Sequence, residues 1–256
     1  SARVTPYNAT AWYGVTLADC LQKAGHDTIV AGLKDTAPLK RAQEYGLKTI
    51  ALPFNSASPL DVVRCWQGME HLLSRFQPDI VNCHRGEAFV LWALMKKKHN
   101  FALVRTRGDR RLPKSGFVNR WLYCGAADAV IATNSLMTQY LLNTMRVPAP
   151  KLHTLLGGVD TVRFCPNGEA RQVMRRRYGY SDADLVMGLL GRMDDVKGIR
   201  QTINALARAR KTSIKAHAIK FMVIGFDSQH DTHEVEQWCV DAGLGKLGQT
   251  VIVTGK

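Results

Sequence analysis

The sequence predicts an α/β fold, and two observations carry that prediction. Short runs rich in Val, Ile and Leu alternate with longer amphipathic segments along almost the whole chain. Several of these runs are nearly continuous in apolar residues, which is typical of strands covered on both faces. Regular alternation of such strands with helices implies parallel sheets, because parallel neighbours need a crossover between them.

The strands are expected at regular intervals along the chain. They are residues 27–31, 48–52, 79–83, 101–105, 128–132, 151–156, 184–190, 218–224 and 249–253. Between them, apolar residues at helical spacing predict amphipathic helices. The predicted apolar faces are Leu17, Leu21 and Ala24 in 13–24, Val62, Trp66, Met69 and Leu73 in 59–76, and Ile199, Ile203 and Leu206 in 198–210.

One segment interrupts this alternation and predicts a domain boundary. Residues 157–183 hold glycines, a proline and a dense basic run, and they show no strand pattern. The sequence therefore predicts two Rossmann-like domains, the second of them incomplete. The first is expected at residues 1–166, a linker at 167–183, and the second at 184–256.

Charge and cysteine content narrow the class of protein. Lys and Arg number 35 against 21 Asp and Glu, a formal net charge of +14 that favours nucleic acid, an anionic membrane surface or phosphorylated substrates as partners. The six cysteines form no C-x-x-C pair, which is typical of reduced core residues in a cytoplasmic protein. No stretch has the length of a membrane span, and no signal peptide pattern is found.

Three short motifs carry little weight, two because of their position and one because it is incomplete. Open α/β sheets bind ligands beyond the carboxyl ends of their strands, so a motif counts when it follows a strand. "GLGKLG" (243–248) and "DAD" (182–184) both precede one. "HDTH" places His230 and His233 about one turn apart beside Glu234, but no third ligand lies at an informative spacing. No dinucleotide site and no metal site are predicted.

The first stretch that follows a strand is "CHRGE", at 83–87. It places His84 at the carboxyl edge of the sheet, where an imidazole could transfer a proton or orient a substrate hydroxyl. A histidine that only satisfies hydrogen bonds at a strand end fits the same pattern, and both interpretations stay open.

The second stretch is "VRTRGDRRLPK", at 104–114. Its cations are Arg105, Arg107, Arg110, Arg111 and Lys114. Arginine binds phosphate groups through two parallel hydrogen bonds, so a cluster here suits a phosphorylated acceptor or a lipid head group. A solvated basic loop is the alternative.

The third stretch is "LLGRMDDVKGIR", at 189–200. Gly191 ends an apolar run, and Arg192 and Lys197 flank the start of a helix whose free N–H groups attract anions. This arrangement predicts a diphosphate site. The alternative is that Asp194 and Asp195 pair with the two cations. Exposed pairs contribute only about 0–1 kcal/mol, which favours the phosphate interpretation.

Taken in order, these stretches resemble the retaining GT-B glycosyltransferases of glycosyltransferase family 4. The specific matches are "LLGRMDDVKGIRQTINAL" and "GGVDTVRFCP". Weaker matches are "WYGVTLADCLQKAGHDTIVAG", "PDIVNCHRG" and "GAADAVIATNS". The resemblance implies two Rossmann-like domains and transfer of a sugar from a nucleotide sugar with retained anomeric configuration. It implies no metal and no cofactor.

The resemblance also implies roles for individual residues. Arg192, Lys197 and a glycine loop around Gly14 hold the donor diphosphate. His84 and Arg107 are the catalytic candidates, although Arg107 stands where the family often has a histidine and cannot act as a base. Arg105, Arg110 and Arg111 are the expected acceptor-binding residues.

The expected acceptor is an anionic lipid-linked glycan, as in bacterial lipopolysaccharide biosynthesis. The high positive charge then predicts a cytoplasmic protein in peripheral contact with the cytoplasmic face of the inner membrane. No nucleic acid partner is expected. Family members continue beyond the position of Lys256 with a Glu, seven residues, Glu motif, so the chain is expected to be truncated and weak in donor binding.

Other functions remain open at this stage. A two-domain protein that binds phosphate ligands or nucleic acid without catalysis would use the same basic stretches, although few aromatic residues interleave with them. A sugar-nucleotide epimerase or a phosphorylase shares the GT-B architecture. A fragment without activity is the remaining alternative.

Overall fold

The computed structural model describes residues 9–55, 58–86, 88–108 and 111–255. The chain divides into two compact units, Ser1–Val159 and Asp160–Lys256. Strands in both units form parallel sheets, so the predicted α/β class is confirmed.

Helices and strands alternate through the described part of the first unit. In chain order they are α1 (Ala9–Lys23), β1 (Ile29–Gly32), α2 (Ala37–Glu44), β2 (Lys48–Ala51), α3 (Pro59–Phe76), β3 (Ile80–Cys83), α4 (Phe89–Met95), β4 (Ala102–Arg107), α5 (Phe117–Arg120), β5 (Ala129–Ala132), α6 (Ser135–Asn143) and β6 (Leu152–Thr154). A π-helix (Trp121–Ala126) follows α5 directly, and a 3-10 turn (Ala149–Lys151) precedes β6.

The strands of this unit form two sheets. β1 pairs with β2, and a four-stranded sheet runs in the order β3-β4-β5-β6. Its register sets Ile80 opposite Ala102 and Val104 opposite Ala129. Because every pair is parallel, the carboxyl ends of β3 and β4 lie at the same edge of the sheet, and the residues that follow them are neighbours in space.

The main core of the first unit lies between this sheet and its helices. Its largest fully buried apolar side chains are Phe89, Met69, Met95, Leu103, Met137, Leu141 and Met145. α3 contributes Met69 and Leu73 as predicted, but Val62 and Trp66 are exposed. The face that α3 buries is therefore rotated about the helix axis relative to the predicted face.

The predicted face of α1 is wrong. Leu21 and Ala24 are exposed, and the buried side chain of the helix is Val15, which packs in a small cluster with Ala42 and Leu47. Helical periodicity identifies an apolar stripe but does not say which part of it meets a neighbour. Here Ala42 of α2 and Leu47, the residue before β2, cover the turn around Val15.

The second unit also alternates helices and strands, and its sheet has three strands. Its elements are α7 (Gly168–Arg177), β7 (Leu185–Leu190), α8 (Ile199–Thr212), β8 (Ile219–Ile224), α9 (Thr232–Asp241) and β9 (Val251–Val253), with 3-10 turns at Asp195–Lys197 and Ile214–Ala218. The sheet order is β7-β8-β9, all parallel. Its core includes Ile199, Ile203 and Leu206, which confirms the predicted face of α8.

Helix α7 lies inside the stretch that the sequence treats as a linker, 167–183. Its start is set locally, because the Asn167 side chain accepts a hydrogen bond from Ala170 N at 2.9 Å and so caps the helix. The helix buries no side chain, which is why it carries no apolar periodicity that sequence analysis could detect.

Two further expectations concern composition. All six cysteines are free thiols. Cys65, Cys83 and Cys239 are buried, but Cys20 and Cys165 are exposed, so the expectation that the cysteines are core residues is wrong for these two. Among the described helices, none combines the length and the apolar character that a membrane span needs.

Candidate functional site

The first group of predicted residues lies where β3 and β4 end. His84 follows β3 and lies against α1: a Cβ placed on Gly14 would be 3.2 Å from His84 Cδ2. The rings of Tyr13 and His84 are 5.8 Å apart, and a Cβ on Gly108, just after β4, would be 3.7 Å from Thr10 Oγ1. The amino-terminal half of α1 therefore packs over the carboxyl edge of this sheet.

The environment of His84 keeps its imidazole neutral. Burial, and secondarily the positive charge of Arg105, lowers its pKa to about 4. Its Nδ1 is buried and has no hydrogen-bond partner among the described residues. A neutral imidazole with so low a pKa is a weak base at pH 7, but it can donate or accept a hydrogen bond. Of the roles left open by the sequence, that of a general base suits this geometry least, and orientation of a substrate hydroxyl stays a prediction.

Arg105 is the most deeply buried charged residue of this group, at 1% exposure. Its Nη1 donates to the Cys83 carbonyl at 2.7 Å, its Nε donates to the Tyr123 hydroxyl at 3.3 Å, and its guanidinium lies 5.3 Å from the Phe89 ring centroid. In the described part of the chain, no carboxylate pairs with it. A buried cation with neutral partners leaves this edge of the sheet electropositive, while its assignment to acceptor binding stays a prediction.

The basic stretch 104–114 does not form a single exposed cluster. Arg105 and Arg107 are two residues apart in β4, so their side chains point to the same side of the strand. Both are buried. Arg107 Nη2 donates to the Arg111 carbonyl. Arg111 and Lys114 are exposed. Arg110 lies outside the described residues. The structure thus separates an inner pair of arginines from an outer basic segment.

The placement of Gly14 in a loop is wrong. Gly14 lies in the interior of α1, where backbone N–H groups bond the carbonyl four residues earlier and are not available to a phosphate. The absence of a side chain at this position instead admits the His84 ring. A role for Gly14 in donor binding stays a prediction.

The second group lies in the second unit, at the carboxyl end of β7. Gly191 has a φ of +148°, and a Cβ placed on it would lie 2.9 Å from Lys197 Cε and 3.2 Å from Lys197 Nζ. Lys197 is exposed, and its ammonium has no hydrogen-bond or ion-pair partner among the described residues. The chain turns back so that the lysine lies over the end of the strand.

Unlike Lys197, Arg192 has an acidic partner, and Asp194 and Asp195 pair with different residues. Arg192 Nη2 pairs with Asp194 Oδ2 at 2.8 Å; the arginine side chain is 44% exposed and that of Asp194 is 7% exposed. The alternative of a simple ion pair therefore holds for Arg192, whose other N–H groups remain to bind a ligand. Asp195 pairs with His230, not with Lys197. No metal-binding cluster of His, Cys, Asp or Glu is found in the described ranges, and the two carboxylates beside His230 hydrogen-bond its ring.

Helix α8 begins at Ile199, and the N-cap residue before it is Gly198, which has a φ of +74° and no side chain to cap the helix. The free N–H groups of its first turn have no side-chain cap, and they follow directly after Lys197 in the chain. A cation beside an uncapped helix N-terminus is an arrangement that binds phosphate groups.

Comparison with known protein families covers the first unit. Residues 11–163 match the model of the family described as Glycosyltransferase Family 4. The chain belongs to glycosyltransferase family 4. No curated protein matches the sequence.

Solved structures show the same fold at low sequence identity. A glycosyltransferase from Rickettsia africae ESF-5 matches with a TM-score of 0.82 and 18% identity over 99% of this chain and 66% of its own. Anabaena HepE in complex with UDP-glucose matches with 0.71 and 17%, over 97% and 66%. WaaG, a glycosyltransferase involved in lipopolysaccharide biosynthesis, matches with 0.60 and 14%, over 98% and 67%. The chain thus spans about two thirds of the length of these neighbours, and its fold is that of GT-B glycosyltransferases.

Sequence reasoning missed one residue that packs against the turn at Gly191. A Cβ placed on Gly225, directly after β8, would lie 1.8 Å from the Gly191 carbonyl oxygen. Because neither glycine has a side chain, the backbone segments that follow β7 and β8 lie in direct contact. Gly191 N donates to the Ile224 carbonyl at 3.0 Å. The signal was present in the sequence, since a glycine directly follows each of two apolar strands.

Proposed function

We propose that this protein transfers a sugar from a nucleotide-sugar donor to an anionic, lipid-linked glycan acceptor, with retention of anomeric configuration. The observation that carries the proposal is the Lys197 ammonium beside Gly191, which has no acidic partner among the described residues and precedes the uncapped N-terminus of α8. Membership of glycosyltransferase family 4 and the UDP-glucose complex of a protein with this fold support it.

Each donor-binding group has a defined task in this proposal. Lys197 and the first-turn N–H groups of α8 bind the donor diphosphate, and Arg192, anchored by Asp194, adds a second cation. These charges are fixed before the reaction, so they stabilise the negative charge that develops on the leaving nucleotide diphosphate. The two cations supply this charge without a metal ion, and we expect a chelator to leave turnover unchanged.

His84 has the orienting role on the acceptor side. Its neutral imidazole, held against Gly14, hydrogen-bonds a substrate hydroxyl, and the buried cations Arg105 and Arg107 keep the surrounding potential positive. This role requires no proton uptake by His84. The retained configuration rests on the family resemblance, and the anomeric signal of the product in NMR measures it.

An exposed segment next to this edge supports an acceptor at a membrane. Phe117 is 87% exposed and Val118 is 56% exposed, and the cations Arg111 and Lys114 lie within a few residues of them in the chain. Apolar side chains flanked by cations bind anionic bilayers, with about 1 kcal/mol per cation near the surface. Peripheral contact at the cytoplasmic face of the inner membrane follows from this proposal.

The donor assignment is tested by a thermal-shift screen of the full-length protein with UDP-, GDP-, ADP- and CMP-sugars. The stabilising donor is then titrated against Arg192→Ala, Lys197→Ala and the control Arg208→Ala, which removes an exposed cation further along α8. A charged hydrogen bond contributes about 1.5–3 kcal/mol, so we expect the first two changes to weaken binding roughly 10- to 150-fold and the control to have no effect. Equal binding by all variants would remove the donor site from this loop.

The acceptor proposal is tested with vesicles. Sedimentation with anionic and with neutral vesicles at low salt should show binding only to the anionic ones, and Phe117→Ser together with Lys114→Ser should abolish it. Ser115→Ala is the control in the same segment. Equal binding to both kinds of vesicle, or none to either, contradicts a membrane-bound anionic acceptor.

A further inference from the structure

His230 lies in the loop between β8 and α9 and connects two carboxylates. Its Nε2 is 2.7 Å from Asp195 Oδ1, in the 3-10 turn before α8, and its Nδ1 is 3.4 Å from Glu234 Oε1, in the first turn of α9. The ring also packs edge-on against Trp238 of α9, with centroids 4.8 Å apart. The imidazole therefore bridges the turn that carries Lys197 and the helix that follows β8.

The α9 side of this bridge is held firmly. Glu234 and Asp231 form a capping box: Glu234 N donates to Asp231 Oδ1 at 2.8 Å, and Asp231 N donates to Glu234 Oε2 at 3.1 Å. Glu234 is thus fixed by its own helix terminus before it meets His230. His230 therefore restrains mainly Asp195, which is the more exposed of its two partners.

Backbone bonds join the same two loops. Met193 N donates to the Phe226 carbonyl at 3.1 Å, and His230 N donates to the Met193 carbonyl at 3.0 Å. Asp195 N donates to Gln229 Oε1 at 3.0 Å. Beyond Asp195 the turn has no such bonds to the second loop: among the described residues, Val196 is 88% exposed and Lys197 has no side-chain partner. Asp195 is the last point at which the turn is tied down before Lys197.

We infer that His230 is a positioning residue for donor binding: by bridging Asp195 and Glu234 it fixes the turn Asp195–Lys197 and with it the Lys197 ammonium. This inference rests on the proposed donor role of Lys197. His230 itself need not touch the donor. It acts through Asp195, two residues before the lysine.

The bridge depends on the charge of His230. A protonated imidazole donates from both ring nitrogens and satisfies both carboxylates, whereas the neutral ring donates from only one. The hydrogen bond to Asp195 raises the pKa of His230 above its ordinary value; partial burial opposes this, and Glu234 adds to it. The charged groups around the ring are Asp195, Asp194 beside it, Glu234 on α9, and Arg200 of α8, whose guanidinium lies 5.7 Å from the Trp238 ring centroid. The bridge is complete below the raised pKa; as the pH rises through it, one of the two hydrogen bonds is lost and the ring no longer joins the two carboxylates.

The test measures UDP-glucose binding by the full-length protein as a function of pH. This probe is chosen because its diphosphate is esterified at both ends and does not titrate where imidazole does. We expect wild-type affinity to fall as the pH rises through the pKa of His230. His230→Gln should bind about three- to tenfold more weakly at low pH, the effect of one lost hydrogen bond, with a flat profile. Asp195→Asn should move the wild-type profile to lower pH.

The control is His233→Gln, which changes an exposed histidine in the first turn of α9 that has no partner among the described residues. It should leave affinity and profile unchanged. If Lys197→Ala weakens UDP-glucose binding while His230→Gln keeps the wild-type profile, the positioning role is overturned and the proposed donor site stands. If Lys197→Ala has no effect on a donor that binds, the proposed function itself fails.

A second readout requires no donor. Hydrogen exchange of the backbone amides 193–198 should be faster in His230→Gln than in wild type at low pH, and the difference should vanish at high pH. Exchange that is identical in the two proteins at every pH overturns the inference, whichever nucleotide sugar the enzyme uses.

Discussion

Lys197 lies directly against the backbone of Gly191: a Cβ at residue 191 would be 2.9 Å from the lysine Cε and 3.2 Å from its Nζ. The position of the ammonium therefore depends on the absence of a side chain six residues earlier in the chain. This contact relates the glycine at the end of β7 to the cation that we assign to the donor diphosphate.

We expect Gly191→Ala to weaken donor binding about tenfold or more, since the methyl group displaces Lys197 and the φ of +148° strains any L-residue. Isothermal titration with the donor found in the screen measures the loss. Gly188→Ala is the matched control within β7, because a Cβ there would lie 3.8 Å from Ile224 Cδ1, an ordinary contact. Normal affinity in Gly191→Ala would show that Lys197 does not bind the donor from this position.

Gly225→Ala should destabilise the second unit. Its Cβ would lie 1.8 Å from the Gly191 carbonyl oxygen, so the chains leaving β7 and β8 must move apart. Overpacking of this kind costs about 1–3 kcal/mol or more, because the neighbour is backbone. Urea denaturation followed by hydrogen exchange in β7 and β8 measures the change, and Gly168→Ala, whose Cβ meets nothing within 4 Å, should have no comparable effect.

The burial of His84 predicts acid sensitivity of the first unit. Its pKa is about 4 in the folded chain against an ordinary 6.5, so between these values the unfolded chain binds more protons and stability rises with pH. Acidification through this range should remove roughly 3 kcal/mol of stability through His84. Denaturation of His84→Gln across the same range should lack this component, while His71→Gln, at an exposed position, should retain it. Identical acid sensitivity of all three proteins would contradict the neutral, buried state of His84.

Arg105 should influence His84 by charge. Its guanidinium contributes to the low pKa of that imidazole, so Arg105→Gln should raise the pKa of His84, as followed by NMR of the imidazole. Arg105→Lys keeps the charge and should leave the pKa low, although both variants lose the hydrogen bonds to Cys83 and Tyr123 and should be destabilised by about 1–3 kcal/mol. An equal rise in both variants would show that altered packing, not charge, sets the pKa.

The sequence by itself determined the order of elements. Each predicted strand is present, and α3 has the predicted range Pro59–Phe76, because a proline at its first position and an acidic first turn start a helix locally. It also located the basic loop after β7, since the position of a motif beyond a strand follows from the β-α alternation alone.

Only the tertiary structure decided which side chains meet. Asp194 and Asp195 are neighbours in the chain, yet one pairs with Arg192 and the other with His230, 35 residues away. Arg105 lies in a basic run that reads as solvated, yet it is buried because its strand is covered on that side by Phe89 and Tyr123. Local sequence patterns determine the backbone conformation and the alternation of helices and strands. Burial, the choice of ion-pair partner and pKa depend on atoms from distant segments, and the periodicity of a local sequence contains no information about them.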